Sequence, residues 1–229
     1  MNKVLEAQGI VKSYSNVQVV RDGHLHIYPG EFVSIVGRSG SGKSTLLYLL
    51  AGLEKADRGE IHYKGRVITG LNEEQLAVWR RDNIGIVFQN FNLIPTLTAL
   101  ENVSFPLYPS KMPASERRQK AMTMLEQVGL ADRAHNRPHQ LSGGEQQRVS
   151  IARSLVCQPS ILFADEPTGN LDSDTGDRIM DLFLQLREDH QLALFIVTHD
   201  EEKVAARADR RIEMKDGRTY SDEIWEDAK

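Results

Sequence analysis

The strongest chemical signal in the sequence is a short glycine-rich run suited to binding phosphate. Residues 37–45 match the pattern G-x-x-x-x-G-K-[ST] at every fixed position. Glycines let the backbone curl so that successive N–H groups face phosphate oxygens, and a helix starting there adds its positive N-terminus. We therefore predict a nucleotide phosphate site, the phosphate loop, lined by Gly37, Ser39, Gly40, Ser41, Gly42, Lys43, Ser44 and Thr45.

Two side chains of the phosphate loop have distinct predicted roles. Lys43 brings a positive charge to the β- and γ-phosphates, and Ser44 offers a hydroxyl to Mg²⁺. The alternative interpretation is a glycine- and serine-rich surface turn. It is disfavoured because the loop follows the apolar run Phe32–Val36 and precedes an apolar helical segment at 46–50.

A second apolar run, at 161–164, ends in two carboxylates. At the end of a buried strand, Asp165 can hold Mg²⁺ and Glu166 can orient and polarise an attacking water. Taken alone, the pair would fit a helix N-cap or a surface turn equally well. A phosphate loop elsewhere in the same α/β chain favours the nucleotide site. A third run, Ala193–Val197, is followed by His199, which the carboxyl end of a parallel strand would direct into the ligand crevice.

The elements around these residues alternate between strands and helices. Nearly continuous apolar runs at Phe32–Val36, 84–88, 161–164 and Ala193–Val197 predict strands of a parallel sheet buried on both faces. Ile179, Leu182, Phe183 and Leu186 share one helix face that would pack on this sheet. The pattern predicts an α/β fold.

The first third of the chain predicts a flanking antiparallel sheet. Short strands are expected at 4–13, 17–20, 24–27, 60–63 and 66–68, separated by turns that include Asp22-Gly23. The middle of the chain predicts helices only, around 97–102, 114–128 and 145–157. We expect one domain over 1–229. Residues 1–89 and 160–220 form the core with its antiparallel sheet, residues 90–159 form an inserted helical subdomain, and residues 221–229 form a solvated tail.

Composition narrows the class of protein. The 229 residues contain 40% hydrophobic and 26% charged residues, as in ordinary globular domains. No apolar run reaches the roughly 20 residues of a membrane-spanning helix, and the N-terminus lacks a secretory h-region. Cys157 is the single cysteine, which fits a reducing, cytoplasmic compartment. The net charge of −4 gives no global field that attracts nucleic acid, and no nucleic-acid partner is expected.

The segment LSGGEQQR at 141–148 resembles the signature motif of ATP-binding cassette (ABC) ATPases. Ser142, Gly143 and Gly144 would start a second helix at Glu145, and the N-terminus of that helix could bind an anion. Within one chain, however, this helix start has no phosphate of its own to bind. The resemblance explains it, because in that family the signature of one subunit closes over the ATP held by the phosphate loop of another. It implies a head-to-tail dimer of two copies around two ATP molecules with Mg²⁺, and a P-loop NTPase fold.

Other positions match motifs of the same family. The resemblance implies that Gln89 senses Mg²⁺ and the γ-phosphate and that Tyr14 stacks on adenine. It implies that residues 167–172, with Asp172, form the D-loop at the dimer interface. It also implies that His199 is the switch histidine. The expected catalytic residues are therefore Glu166, His199, Lys43 and Gln89. The residues expected to bind the metal are Ser44, Gln89 and Asp165.

Residues 83–103 narrow the resemblance to the macrolide-exporter and lipoprotein-release subgroup. It implies an ATPase that drives a separate transmembrane permease at the cytoplasmic face of the bacterial inner membrane, by export or mechanotransmission. Lipoprotein, haem, peptide and drug cargoes stay open. The apolar stretch 91–97 is interpreted as part of the helical core or as a groove for a helix of the partner, and the two interpretations can share residues.

Two other classes of protein remain as alternatives. The first is a soluble ABC ATPase in DNA repair, chromosome structure or translation. The absence of a coiled-coil heptad pattern between the phosphate loop and the signature disfavours the chromosome type, and the single cassette in this sequence disfavours the translation type, which has two. The second is a small-molecule kinase or GTPase, which would not explain the signature segment.

Overall fold

A computed structural model describes residues 2–199 and 204–224, the last four by their backbone alone. Its ten strands form one mixed sheet in the order β5-β4-β1-β2-β10-β9-β3-β8-β7-β6. The strands are β1 Leu5–Tyr14, β2 Val17–Ile27, β3 Phe32–Val36, β4 Arg58–Tyr63, β5 Arg66–Val67, β6 Ile84–Val87, β7 Ile161–Asp165, β8 Ala193–Val197, β9 Arg210–Lys215 and β10 Arg218–Ile224.

Within the described ranges, six α-helices pack around this sheet: α1 Lys43–Leu50, α2 Glu73–Asn83, α3 Ala99–Ser104, α4 Ala114–Gln127, α5 Gly143–Leu155 and α6 Ser173–His190. The apolar core has two parts because the central strands are buried on both faces. Helices α3, α4, α5 and α6 cover one face, where Phe183 is fully buried. Helices α1 and α2 cover the other face together with β1, β2 and β4, around residues such as Leu47.

The central strands bring three loop ends to one edge of the sheet. Strands β3, β8, β7 and β6 pair in parallel. In this register Val197 is the partner of Ile35 on β3 and of Asp165 on β7. The phosphate loop, Glu166 and His199 each follow the carboxyl end of one of these strands. They therefore meet at one crevice, as the sequence predicts for a parallel sheet.

One predicted turn is wrong. Asp22-Gly23 does not separate two strands, because β2 runs unbroken from Val17 to Ile27. Neighbours on both sides hold this dipeptide extended: Gly23 pairs with Ile10 of β1, and Asp22 pairs with Arg218 of β10. A Cβ at Gly23 would lie 3.3 Å from both Ile10 Cβ and Leu46 Cδ1, so close packing also accounts for this glycine.

The three helices predicted in the middle of the chain are confirmed as α3, α4 and α5, and no strand lies among residues 90–159. Helix α2 was not predicted; it begins at Glu73, after the N-cap Asn72, whose side chain forms a capping box with Gln75. Strand β10 extends to Ile224, so three of the nine residues expected in the tail, Asp222, Glu223 and Ile224, pair with β9, and 225–229 lie outside the described residues. No helix among the described residues has the length and apolar character needed to cross a bilayer.

Candidate functional site

Left-handed glycines shape the phosphate loop. Gly37, Gly40 and Gly42 have φ values of 150°, 77° and 104°, a region that side chains disfavour. Space is also limited, since a Cβ at Gly37 would lie 2.2 Å from the carbonyl oxygen of Met214. Gly42 occupies the N-cap position of α1 and leaves the first N–H groups of that helix without a side-chain cap. The loop therefore presents backbone donors and a helix N-terminus to the same point.

Lys43 lies inside the phosphate loop. Its side chain is buried, and its Nζ donates to the carbonyl oxygens of Gly37 at 2.7 Å and Arg38 at 3.0 Å. Burial lowers the pKa of Lys43, and the nearby carboxylates of Glu166 and Asp165 oppose this shift. An ammonium held in this way faces the two carboxylates across the crevice, where a phosphate would lie.

Ser44 and Asp165 bring two oxygen donors together at the end of β7. Ser44 Oγ donates to Asp165 Oδ1 at 2.8 Å, and Tyr48 Oη donates to Asp165 Oδ2 at 2.7 Å. Asp165 is buried at the end of β7, and a buried carboxylate that accepts two hydrogen bonds keeps a defined orientation. A hydroxyl and a carboxylate are both hard oxygen donors of the kind Mg²⁺ prefers, so these residues fit the predicted metal.

Glu166 and His199 lie next to each other at the crevice. Glu166 Oε2 is 3.3 Å from His199 Nδ1. Glu166 has a φ of 45°, and its N–H donates to the carbonyl oxygen of Val197 on the neighbouring strand at 2.9 Å. A left-handed non-glycine residue next to a strand end turns its side chain out of the sheet, which is common at functional sites.

Gln89 lies at the rim of the same crevice and is exposed. Its side chain lies beside Gly169, where an added Cβ would be 3.1 Å from Gln89 Nε2. Its backbone carbonyl accepts a 2.9 Å hydrogen bond from Asn170 Nδ2. These contacts tie Gln89 to the turn that follows Glu166, and no described contact brings its side chain to Ser44 or Asp165.

Tyr14 lies at the end of β1, beside the start of α1. The ring is partly exposed, and its hydroxyl donates to Glu54. Burial and the Glu54 carboxylate raise the pKa of Tyr14 to about 12, and a hydrogen bond with Thr45 opposes them. The position next to Thr45 puts the ring within reach of a base whose phosphates occupy the loop.

The signature residues form a separate surface. Ser142 caps α5, accepting from the backbone N–H of Glu145 at 3.3 Å while the Glu145 carboxylate accepts from the N–H of Ser142 at 2.8 Å. These bonds hold the pKa of Glu145 below its ordinary value. Helix α5 begins at Gly143, two residues before the predicted start, because this capping box reaches back from Glu145.

Helix α6 closes this surface from the other side. Asp172 caps α6, accepting from the backbone N–H of Thr175 at 3.0 Å. A Cβ at Gly144 would lie 2.6 Å from Thr175 Cγ2, so the two helix starts are packed in contact. A groove of about 680 Å³ opens here and is lined by Ser142, Gly143, Gly144 and Asp172 among others. In the described part of the chain, no hydrogen bond or ion pair joins residues 142–145 to the phosphate loop.

Sequence reasoning missed one residue of the site, Tyr48, and one long-range contact outside it, made by Arg153. Tyr48 contacts Asp165 from α1, and its position four residues after Ser44 was the available signal, since residues at i and i+4 share a helix face. Arg153 of α5 donates to the carbonyl oxygen of Phe91 at 2.9 Å. Phe91 and Asn92 are both left-handed. No local sequence pattern predicts that contact, because it joins two segments that lie 62 residues apart in the chain.

Phosphate loops that follow a buried parallel strand and face carboxylates from the end of another strand of the same sheet belong to P-loop nucleoside triphosphatases, and this chain is one of them. Residues 20–169 match the family model described as ABC transporter. The chain therefore belongs to the ABC transporter family, and the resemblance seen in the sequence is confirmed.

The chain matches nearly the full length of one named relative but only part of another. It is 43% identical to the lipoprotein-releasing system ATP-binding protein LolD of Aquifex aeolicus, covering 97% of this chain and 98% of the relative. It is 47% identical to the pyoverdine export ATP-binding/permease protein PvdT of Pseudomonas fluorescens, covering 98% of this chain and 35% of that protein. The chain therefore spans about a third of the pyoverdine export protein.

A solved structure confirms the predicted fold class. The ATP-binding cassette MJ0796, described as dimeric in a post-hydrolysis state bound to ADP and Pi, matches with a TM-score of 0.87 and 42% identity. The match covers 96% of this chain and 98% of that one. The chain is an ATP-binding and ATP-hydrolysing subunit of the ABC transporter class, as the sequence predicted.

Proposed function

We propose that two copies of this chain close head-to-tail over two MgATP and drive a separate transmembrane permease at the cytoplasmic face of a bacterial inner membrane. One observation supports the dimer: the phosphate loop and the signature groove each surround a helix N-terminus, yet among the described residues no hydrogen bond or ion pair joins them. A second copy turned by a two-fold rotation supplies the missing half to each site.

Each half-site supplies different groups to ATP. The phosphate loop, from Gly37 to Thr45, holds the phosphates, and Tyr14 stacks on adenine. Ser142, Gly143, Gly144 and Glu145 of the second copy face the γ-phosphate, and Asp172 lies at the interface. The capped helix start at Ser142 supports this assignment, because its backbone donors are oriented before an anion arrives.

The residues at the strand ends carry out hydrolysis. Glu166 orients a water for in-line attack and takes its proton, which its turned-out carboxylate favours. His199 and Lys43 stabilise the charge that develops on the phosphate oxygens. Gln89 reports the occupancy of the site to the helical subdomain, residues 90–159. Mg²⁺ held by Ser44 and Asp165, with Gln89, would polarise the transferred phosphoryl group.

The dimer is tested with Glu166→Gln protein, in which slow hydrolysis preserves bound ATP. Size-exclusion chromatography with light scattering should give a monomer mass without nucleotide and twice that mass with MgATP. Ser142→Arg added to this variant should abolish the shift, because the arginine fills the signature surface. Thr98→Arg is the matched control, since Thr98 caps α3 in the same kind of box away from the groove. A dimer that forms equally in Ser142→Arg would refute the head-to-tail arrangement.

A second groove, of about 790 Å³, is a candidate docking site for the permease. Leu53, Val78 and Phe105 line it and are between 42% and 50% exposed, an unusual concentration of apolar surface. The stretch after Gln89 is compatible with both predictions, since Leu93 packs on the helical core and Ile94 lines the groove. We assign this surface, the lateral groove, to a cytoplasmic helix of the permease with an apolar face.

Membrane capture tests the permease. Tagged Glu166→Gln protein, extracted from native membranes in mild detergent with MgATP, should co-purify with a multi-span protein, whose extracytoplasmic part would identify the cargo. Val78→Glu should lower that recovery. Val67→Glu is the control, because Val67 is similarly exposed on β5 outside the groove. Recovery only with ribosomes or DNA would instead support a soluble ABC ATPase.

A further inference from the structure

A tyrosine on α1 holds the second oxygen of the proposed metal-binding aspartate. Ser44 and Tyr48 lie one helical turn apart on the same face of α1. Their hydroxyls donate to different oxygens of one carboxylate, Ser44 to Asp165 Oδ1 and Tyr48 to Asp165 Oδ2. The two bonds, of 2.8 Å and 2.7 Å, leave the carboxylate little freedom to rotate.

The ring of Tyr48 has a second neighbour. It packs against Phe88 with 6.3 Å between the ring centroids and an angle of 47°. Phe88 directly precedes Gln89 and lines the lateral groove. Tyr48 therefore contacts the carboxylate at the end of β7 with its hydroxyl and the segment before Gln89 with its ring.

We propose that Tyr48 is a positioning residue for metal-dependent nucleotide binding. By engaging Asp165 Oδ2, it keeps Asp165 Oδ1 directed at Ser44, where the Mg²⁺ of the nucleotide is held. This inference rests on the proposed function, because Ser44 and Asp165 act as metal donors only in that scheme. Residues that orient metal ligands commonly change metal affinity or activity by about 10- to 100-fold when altered.

Tyr48→Phe isolates the hydroxyl. Phenylalanine keeps the ring against Phe88 and the helix propensity at this position, and only the bond to Asp165 is lost. Tyr63→Phe is the matched control, because the Tyr63 hydroxyl also donates to one side-chain oxygen, Ser160 Oγ at 3.1 Å, outside the nucleotide crevice. Thermal unfolding of both variants checks that each one folds.

Binding of ADP, measured by calorimetry over a series of Mg²⁺ concentrations and again in EDTA, separates positioning from packing. In Tyr48→Phe, the Mg²⁺ concentration for half-maximal ADP binding should rise about tenfold or more. Affinity for ADP in EDTA should equal that of the parent, because the phosphate loop is intact. Tyr63→Phe should match the parent in both conditions. ATP hydrolysis titrated with Mg²⁺ should show the same displaced midpoint.

Three outcomes would overturn the inference. Parent-like Mg²⁺ dependence in Tyr48→Phe would show that the hydroxyl does not position Asp165. An equal loss of ADP affinity in Mg²⁺ and EDTA would assign Tyr48 to helix packing instead. Added to Asp165→Asn, Tyr48→Phe should cause no further loss, and a further loss would also contradict the inference. If the parent itself bound ADP without regard to Mg²⁺, the proposed function would fail, a result distinct from the three outcomes above.

Discussion

Glu166 Oε2 lies 3.3 Å from His199 Nδ1, although 33 positions separate the two residues in the sequence. They follow the ends of β7 and β8, which pair in parallel with Asp165 opposite Val197. The Glu166 N–H also donates to the Val197 carbonyl oxygen, which fixes the turn that carries the carboxylate. The pair therefore depends on strand register, and its assigned role is to orient water and to stabilise charge on phosphate.

Glu166→Gln should retain ATP binding and lose about 10²- to 10⁴-fold in turnover, the usual contribution of a general base. The amide keeps the size of the side chain but cannot accept a proton from water. Phosphate release and nucleotide binding, measured on the same protein, check both parts. Glu188→Gln, at the exposed end of α6, should leave turnover unchanged. Parent-level turnover in Glu166→Gln would remove that residue from the chemistry.

Lys43→Ala should weaken ATP binding itself. Hydrogen bonds to charged groups are worth about 1.5–3 kcal/mol, which corresponds to about a 10- to 150-fold loss of affinity. Titration with a fluorescent ATP analogue gives the dissociation constant. Lys64→Ala is the control, since Lys64 is exposed and bonds Ser160 instead. Unchanged affinity in Lys43→Ala would contradict the placement of this ammonium at the phosphates.

Glu145 should make folding stability depend on pH in the acid range. Its pKa lies below the ordinary value of about 4.5 because of the Ser142 hydrogen bonds, with Arg133 and Arg148 adding to the shift. A carboxyl with a lowered pKa stabilises the fold above its ordinary pKa and loses that contribution as pH falls through the folded value.

Glu145→Gln keeps the capping hydrogen bond but does not titrate. The parent should therefore lose its advantage over this variant as pH falls from about 4.5 downward. Urea unfolding between pH 7 and pH 3 measures the difference. Glu101→Gln should behave alike, because Thr98 makes the same bonds to Glu101. If the free energies of unfolding of the parent and Glu145→Gln changed in parallel with pH, the lowered pKa of Glu145 would be contradicted.

Gly85→Ala should destabilise the contact between β6 and α5. A Cβ there would lie 2.6 Å from the carbonyl oxygen of Ser154 and 2.8 Å from Leu162 Cδ1, so the backbone must shift. Overpacking of this kind costs about 1–3 kcal/mol. Gly70→Ala is the control, since its Cβ would meet open space. Chemical denaturation of the two variants gives the comparison, and equal stabilities would refute the steric argument.

The sequence predicted the parts of the site that depend on neighbouring residues. Strands β3, β7 and β8 were visible because short apolar runs report burial on both faces. Helix α2 was missed despite the signal of Asn72 and Gln75, because its face is only partly apolar and only Leu76 and Trp79 are buried. The turn at Asp22-Gly23 was predicted wrongly, because pairing on both sides of β2 overrides local turn preference.

By itself, the sequence determined the chemistry of the groups: a glycine-rich loop, paired carboxylates and a capped signature helix. Each of these depends on φ preferences, apolar runs and capping within a few residues. The tertiary structure decided which groups meet. Tyr48 reaches Asp165 across 117 positions and Ser44 across 121, while the signature stays apart from the phosphate loop. Those distances follow from the order β3-β8-β7, and strand order is set by burial across the whole sheet rather than by local pattern.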